Sequence, residues 1–451
     1  MRLLLVCFAA VAVGGCVLAP EGAQQTRDAA RQAGAAYTSD ISHRTLPALS
    51  ERPDWRDVLH RALLANGELE ASYFEWAMAV SRIDQAGSYP SQPIELGFSY
   101  MFSGERMKSF NRGTLSAQFM DATAWPTKTY QSAKVAWRDA QAAEARFVAA
   151  KFKLQQDVLT RWADLVLATE QVRVQSQNVN LLKLVLETAS GRVRAGGSQQ
   201  DLLRADVQLR LAEDRLATLQ SEVRQQQAML NGLLAREPDA ALIADADHQT
   251  TRLVPDDDTI LLSMGVSANP SLAALAHDIT GRSDALARAQ MEYLPDFNPM
   301  AAVTGNVSQM IGASLVLPTE LPRIRAMIEE ARADLRRARA MHAQSRNNAV
   351  AEYVAAIVAL RNTERQVRLF RETIGPLAQR TVDLSRQGYS AGAASYLDLV
   401  DAQRTFLEVQ LSLAEARAER ERLLARIESL AGVDIETVMP ATAPSGALEK
   451  P

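Results

Sequence analysis

Asp398 and Asp401 stand three residues apart at the head of a long apolar heptad run, so a helix over this stretch carries both carboxylates on one face. Paired acids of this kind attract cations and repel anions. The plainer use of the same residues is a helix cap at Asp398 and solvated surface at Asp401. Other chemistry is thinly supplied. His43, His60, His248, His277 and His342 lack ligand spacing, and no His-Glu-x-x-His, phosphate loop or Gly-x-Ser-x-Gly occurs. Neither an enzyme nor a cofactor or metal site is expected.

The elements that would carry the two aspartates occur twice. One stretch runs from Arg192 to Leu209 and the other from Gln387 to Phe406; each has glycines and small polar residues, then an aspartate, then an apolar heptad. That order reads as a tight helix-helix turn followed by a new N-terminus. Laid on the second copy, Asp201 falls on Asp398, Leu202 on Leu399, Ala205 on Ala402, Leu209 on Phe406 and Leu230 on Ile427. The steps alternate three and four, a coiled-coil seam broken once in each copy, at Gln226 and Arg420. Upstream, Leu63-Leu64-Ala65-Asn66-Gly67-Glu68-Leu69 recurs at Met264 to Leu272, and each copy ends at a Tyr-Pro or Tyr-Leu-Pro stop. The repeat therefore covers whole halves of the chain.

After each proline stop the period changes to two. Ile94, Leu96, Phe98, Tyr100 and Phe102 alternate with smaller or polar residues, and Leu115, Ala117 and Phe119 do so on the return, with Asn111-Arg112-Gly113 as the turn. In the second half Ile311, Ala313, Leu315 and Leu317 alternate, but the outgoing strand near Phe297 to Val303 is weakly marked. Each half thus carries one β-hairpin. A transmembrane strand needs roughly 9 to 11 residues; the first hairpin has room for two, and the second, between Pro295 and Pro318, is barely long enough. Long helices follow, from Pro126 to about Ser190 and from Pro318 to about Arg386, each reaching roughly 100 Å if continuous. A further helix is expected from about Trp55 to Ala86, and residues 17–52 read as an extended leader.

Composition agrees. The 451 residues carry a net charge of only −4, which excludes a nucleic-acid partner, and aromatics make up 6 %. At the N-terminus Arg2, the apolar run Leu3 to Val13 and Val13-Gly14-Gly15-Cys16 resemble a bacterial lipoprotein signal, which implies lipid on Cys16. An ordinary secretory signal is the alternative. Val17 after the cysteine favours the outer membrane. Cys7 lies in the removed segment, so no disulfide is expected.

The whole pattern, and most specifically Gly-Tyr-Ser-Ala-Gly-x-x-x-x-x-Asp-Leu-Val-Asp-Ala-Gln from Gly388 to Gln403, resembles the TolC-type outer-membrane efflux protein family. The resemblance implies a mainly α fold of two repeats, each a long coiled-coil helical hairpin with a β-hairpin. A homotrimer would close a 12-stranded barrel in the outer membrane on a 12-helix periplasmic barrel, the exit duct of a tripartite pump. A periplasmic adaptor (membrane fusion protein) and an inner-membrane pump would be its partners, alongside outer-membrane lipid. Asp398 and Asp401 match the gate aspartates, and repulsion between copies should raise some of their pKa values. Tyr389 matches the latch tyrosine, with Asp201 as its carboxylate; Ala394 stands where the family has a latch arginine. Gly196, Gly197, Ser198, Gly392 and Ala393 match the tips that meet the adaptor. The implied division is a signal over 1–15, a leader over 16–52, a first repeat over 53–238 (β-hairpin about 91–125, tip about 191–201), a second repeat over 239–436 (β-hairpin about 296–317, tip about 387–398) and a disordered tail over 437–451. The rival reading is a lipid-anchored periplasmic coiled-coil tether without a pore.

Overall fold

A computed structural model describes residues 17–88, 94–101, 112–120, 125–196, 198–244, 252, 254–255, 257–304 and 308–435. The signal segment, Cys16, Gly197 and the tail over 437–451 lie outside the described residues. The chain divides into two compact units, one of Met1–Thr38, Ala71–Phe147 and Pro270–Ser345, the other of Ser39–Glu70, Val148–Asn269 and Arg346–Pro451.

The first unit holds the sheet. Strands β1 (Ile94–Met101), β2 (Arg112–Met120), β3 (Asp296–Thr304) and β4 (Ser308–Val316) form one antiparallel sheet in the order β1-β2-β3-β4, so the hairpins of the two halves join side by side. β1 and β4 lie at its two edges without a partner strand among the described residues. Arg112 and Gly113, expected in the turn, instead begin β2 and pair with Met101 and Tyr100. The second hairpin is as long as the first, nine residues in each strand. Its outgoing strand was hard to read because Pro299 interrupts it. The β2–β3 ladder runs from Ser116↔Thr304 to Met120↔Met300, so Pro299 falls where β3 is paired only to β4 and its missing N–H is tolerated. Phe98 and Tyr100, two residues apart and so on one face, are exposed, Phe98 to 73 %; Met310 and Leu315 are exposed on β4.

Helices support this sheet. α1 (Ala23–Gly34) corrects the expectation of an extended leader: Ala23, Thr26 and Ala30 recur at helical spacing and are buried. Ala23 packs with Ala79 and Ile83 of α3 (Gly67–Gly87) and Ala140 of α4 (Pro126–Arg194). Lys128, 2 % exposed in the first turn of α4, donates to the Leu294 carbonyl and to Asp296 Oδ1, both at 2.8 Å. A buried ammonium persists only when met in this way, and the pair joins the start of a helix from one half to the start of β3 from the other.

The second unit is helical. α2 (Trp55–Ala65) and α3 are not one helix: Asn66 turns to an extended ψ of 117°, and its side-chain oxygen accepts from the Leu69 N–H at 2.9 Å, capping α3. The matching asparagine of the second half, Asn269, lies between α6 (Asp258–Met264) and α7 (Pro270–Gln290) and donates to the Leu430 carbonyl at 2.7 Å. The long second-half helix is also interrupted. α8 (Leu321–Leu369) passes through a π-helical turn, Phe370–Ile374, into α9 (Gly375–Ser390). Pro376 has no N–H to offer its own preceding turn, and the Gly375 N–H bonds back to Phe370 O, five residues away. α5 (Gln199–Leu233) and α10 (Tyr396–Ala431) are the two heptad helices. Tyr353, Ile357, Leu360, Leu424 and Ile427 form the main core, against Leu261 of α6.

The seam break at Arg420 has a purpose. Its guanidinium meets Glu421 at 2.7 Å, Glu364 at 3.4 Å and the Arg252 carbonyl at 2.9 Å. Arg252 in turn pairs with the fully buried Glu428. Burial, only partly offset by Arg252, pushes the Glu428 carboxyl up to about 7.

Candidate functional site at the helix tips

The two tips belong to the second unit. The last turn of α4 ends at Arg194, and the chain turns at Gly196 with φ +93°; α9 ends at Ser390, and the chain turns at Gly392 with φ +76°. No heavy atom lies within 4 Å of where a Cβ would be built on either glycine, so the requirement is conformational, a left-handed helix exit.

The helices that leave these turns share the pattern Ser-x-x-Asp, Ser198 to Asp201 and Ser395 to Asp398. Only the second closes a capping box. Ser395 Oγ accepts from the Asp398 N–H at 3.2 Å, while Asp398 Oδ2 accepts from the Ser395 N–H at 3.0 Å and from its hydroxyl at 2.7 Å. The Ser395 hydroxyl, then its backbone N–H, hold the Asp398 carboxyl below its ordinary range. Within one chain this runs opposite to the rise expected from repulsion between copies. Ser198 makes no side-chain cap, and Asp201 is left out of any such box.

Asp398 and Asp401 are both exposed, one turn apart on α10. With Ala402 and Thr405 they form one wall of a groove whose other wall is Ala378, Thr381 and Ser385 of α9, enclosing about 300 Å³. Two acids and three hydroxyl side chains thus share an aqueous cleft.

Tyr389 is 1 % exposed and packs with Val185, Ala189, Ala205, Tyr396 and Leu399. Its ring meets that of Tyr396 edge-on, 6.1 Å between centroids. The partner given to it by sequence was Asp201, but the hydrogen-bonded partner is Arg192 on α4. That guanidinium lies 4.5 Å from the ring centroid and donates to the Tyr389 carbonyl at 3.1 Å. Burial, with a contribution from the Asp201 charge, raises the Tyr389 phenol, against the opposing pull of Arg192. Burial also raises the Tyr396 phenol, with Tyr389 and Asp201 adding to it and Arg204 opposing. The structure therefore brings Tyr389 and Asp201 into one electrostatic neighbourhood and sets Asp398 and Asp401 in the groove.

Sequence reasoning missed Arg192 and Tyr396. Arg192 stands one turn before Gly196, where an arginine reads as a favourable charge at a helix C-terminus, and Tyr396 reads as a seam residue. Ala394 removes the expected arginine, and Arg192 supplies a guanidinium to Tyr389 from the other hairpin. Among the described residues no group of His, Cys, Asp and Glu could hold a metal ion.

The sequence model of a family described as outer membrane efflux protein matches residues 261–433. Nodulation protein T of Rhizobium leguminosarum bv. trifolii is 21 % identical over 462 residues, covering 96 % of this chain and 98 % of that protein. The outer membrane protein VceC of Vibrio cholerae superposes with a TM-score of 0.73 at 18 % identity, over 84 % of this chain and 96 % of that one. The open state of the Neisseria gonorrhoeae MtrE outer membrane channel gives 0.71 at 15 % identity, over 87 % and 94 %. The fold is shared over more than four fifths of the chain, and the outer membrane efflux family model matches it from α6 to α10, so the chain is similar to outer membrane efflux proteins in both respects.

Proposed function

We propose that three copies of this chain form an outer-membrane exit duct that conducts substrates passively from periplasm to exterior, with the helix tips as its gate. The observation that carries this reading is the sheet: four strands whose outer members β1 and β4 have no further partner strand among the described residues, with Phe98, Tyr100 and Leu315 exposed. Four strands cannot enclose a pore, whereas three such sheets joined edge to edge make a 12-stranded barrel with an apolar outer band. Strands of eight or nine residues are close to the roughly 9 to 11 that a tilted membrane strand requires. No described helix is long and apolar enough to cross a membrane.

At the gate, threefold symmetry would set Asp398 and Asp401 in two rings of carboxylates. An adaptor would meet the tips at Gly196, Gly197, Ser198, Gly392 and Ala393 and open them for an inner-membrane pump. Lipid on Cys16 would anchor the duct. MtrE, which shares the fold, is an outer membrane channel, and this supports the conducting role.

The test is single-channel conductance of the purified protein in a planar bilayer, beside an Asp398→Ala, Asp401→Ala double mutant. Small cation-selective openings that widen or lose selectivity in the mutant are expected. Identical conductance in both keeps the duct and removes the gate assignment. Well-folded, reconstituted protein that is silent in both forms, and runs as a monomer rather than a heat-modifiable trimer on gels, favours the tether.

A further inference from the structure

Tyr396, the first residue of α10, is 4 % exposed, and its hydroxyl has no hydrogen-bond partner. A buried donor left without an acceptor is uncommon in folded proteins and calls for an explanation. The nearby groups are accounted for: Arg192 stacks over Tyr389 and bonds its carbonyl, and Asp398 is closed in a box with Ser395. Asp201 differs. Its helix lacks the side-chain cap, and no bond occupies its carboxylate among the described residues.

We infer that Tyr396 is a second positioning residue of the resting tip, its hydroxyl donating to the Asp201 carboxylate when the hairpins α4/α5 and α9/α10 draw together. The link joins α10 to α5, whereas the Arg192 contact joins α4 to α9, so the two together fasten every helix of the tip. Their chemistry differs: the first is a neutral donor on a carboxylate, the second a cation on a ring and a carbonyl. Arg204 on α5 and Tyr389 on α9 are the other charged or titratable groups that act on the Tyr396 phenol, Arg192 on α4 acts on the neighbouring Tyr389, and the Asp201 charge already disfavours ionisation of the Tyr396 phenol. The role assigned to Tyr396 rests on the gated-duct reading; the contact itself does not.

The test uses the full-length protein with Tyr396→Phe, Asp201→Asn and both together. Phenylalanine keeps the ring that packs against Leu399 and Tyr389 and removes only the hydroxyl. In bilayers each single variant should raise open probability several-fold, and the double variant should go no further than the larger single, the mark of one shared interaction. Tyr396→Phe behaving as the parent, or effects that simply multiply, overturns the link. Tyrosine absorbance titration gives a reading that needs no channel. Asp201→Asn should shift the Tyr389 and Tyr396 phenols to lower pH, the Tyr396 phenol more, so that most of the change persists in Tyr389→Phe and only a smaller one remains in Tyr396→Phe. If every form is silent in bilayers while that titration pattern holds, the contact stands and the duct fails. Normal conduction with no Tyr396-dependent shift keeps the duct and removes the link.

Discussion

The two tips begin from the same local instruction and use it differently. Ser198 to Asp201 and Ser395 to Asp398 both spell Ser-x-x-Asp ahead of a heptad helix, yet only the second closes on itself. Ser395 sits at ψ 160° and reaches the Asp398 N–H, whereas Ser198 sits at ψ 120° and caps nothing. A capping motif is a statement about available atoms, and the backbone angle at the cap decides whether they meet. The consequence is a division of labour between equivalent aspartates: one is spent on its own helix beside the groove, and the other remains available to the buried phenols of the opposite hairpin.

The contrast can be tested by substitution. The largest effect is expected at Tyr389, where truncation to Ala leaves a cavity among Val185, Ala189 and Leu399 and should destabilise by about 3–5 kcal/mol; Leu397→Ala, at an exposed site on the neighbouring helix, should be near neutral, as read from denaturant midpoints. Next come the turns. Gly196→Ala and Gly392→Ala each force a side chain into the left-handed region, at about 1–2 kcal/mol; similar melting losses at both would show that the tips differ in their caps and not in their turns. Ser395→Ala should lose about 1 kcal/mol, while Ser198→Ala should stay near zero; equal losses would erase the distinction drawn between the caps. The smallest effect is in pH. Because its carboxyl is held below the ordinary aspartate range, Asp398 adds stability at neutral pH that is lost as pH falls through its folded-state value. Asp398→Asn should therefore flatten the acid limb of a melting-temperature profile, and an unchanged limb would mean that the box does not persist in solution.

Much of the fold is legible in periodicity. The three-four seam marked α5 and α10, and the two-residue alternation of Phe98 and Tyr100 marked β1, because each pattern follows from which side of an element is covered. What escaped was set by single residues acting against a pattern. Asn66 divides an otherwise continuous helical stretch by capping the next one, and Pro376 follows a π-turn within what reads as one long helix. Pro299 weakened the strand signal for β3, although only one side of the strand is paired there. The leader helix was hidden because its buried face is alanine and threonine, too small to stand out. In the site, Asp398 and Asp401 were found by spacing along one helix. Arg192 and Tyr396 act between hairpins far apart in sequence, and no spacing rule within one segment reports such a meeting.

The open edges of the sheet have a consequence for the life of the protein before it reaches its place. β1 and β4 have no partner strand on their outer sides among the described residues and carry exposed apolar side chains, an edge that can take up another extended strand. A lone copy is therefore an adhesive intermediate and a hazard to its neighbours. Synthesis, escort and assembly have to be matched in rate, and a fault in any of them would be seen first as aggregation, ahead of any loss of transport.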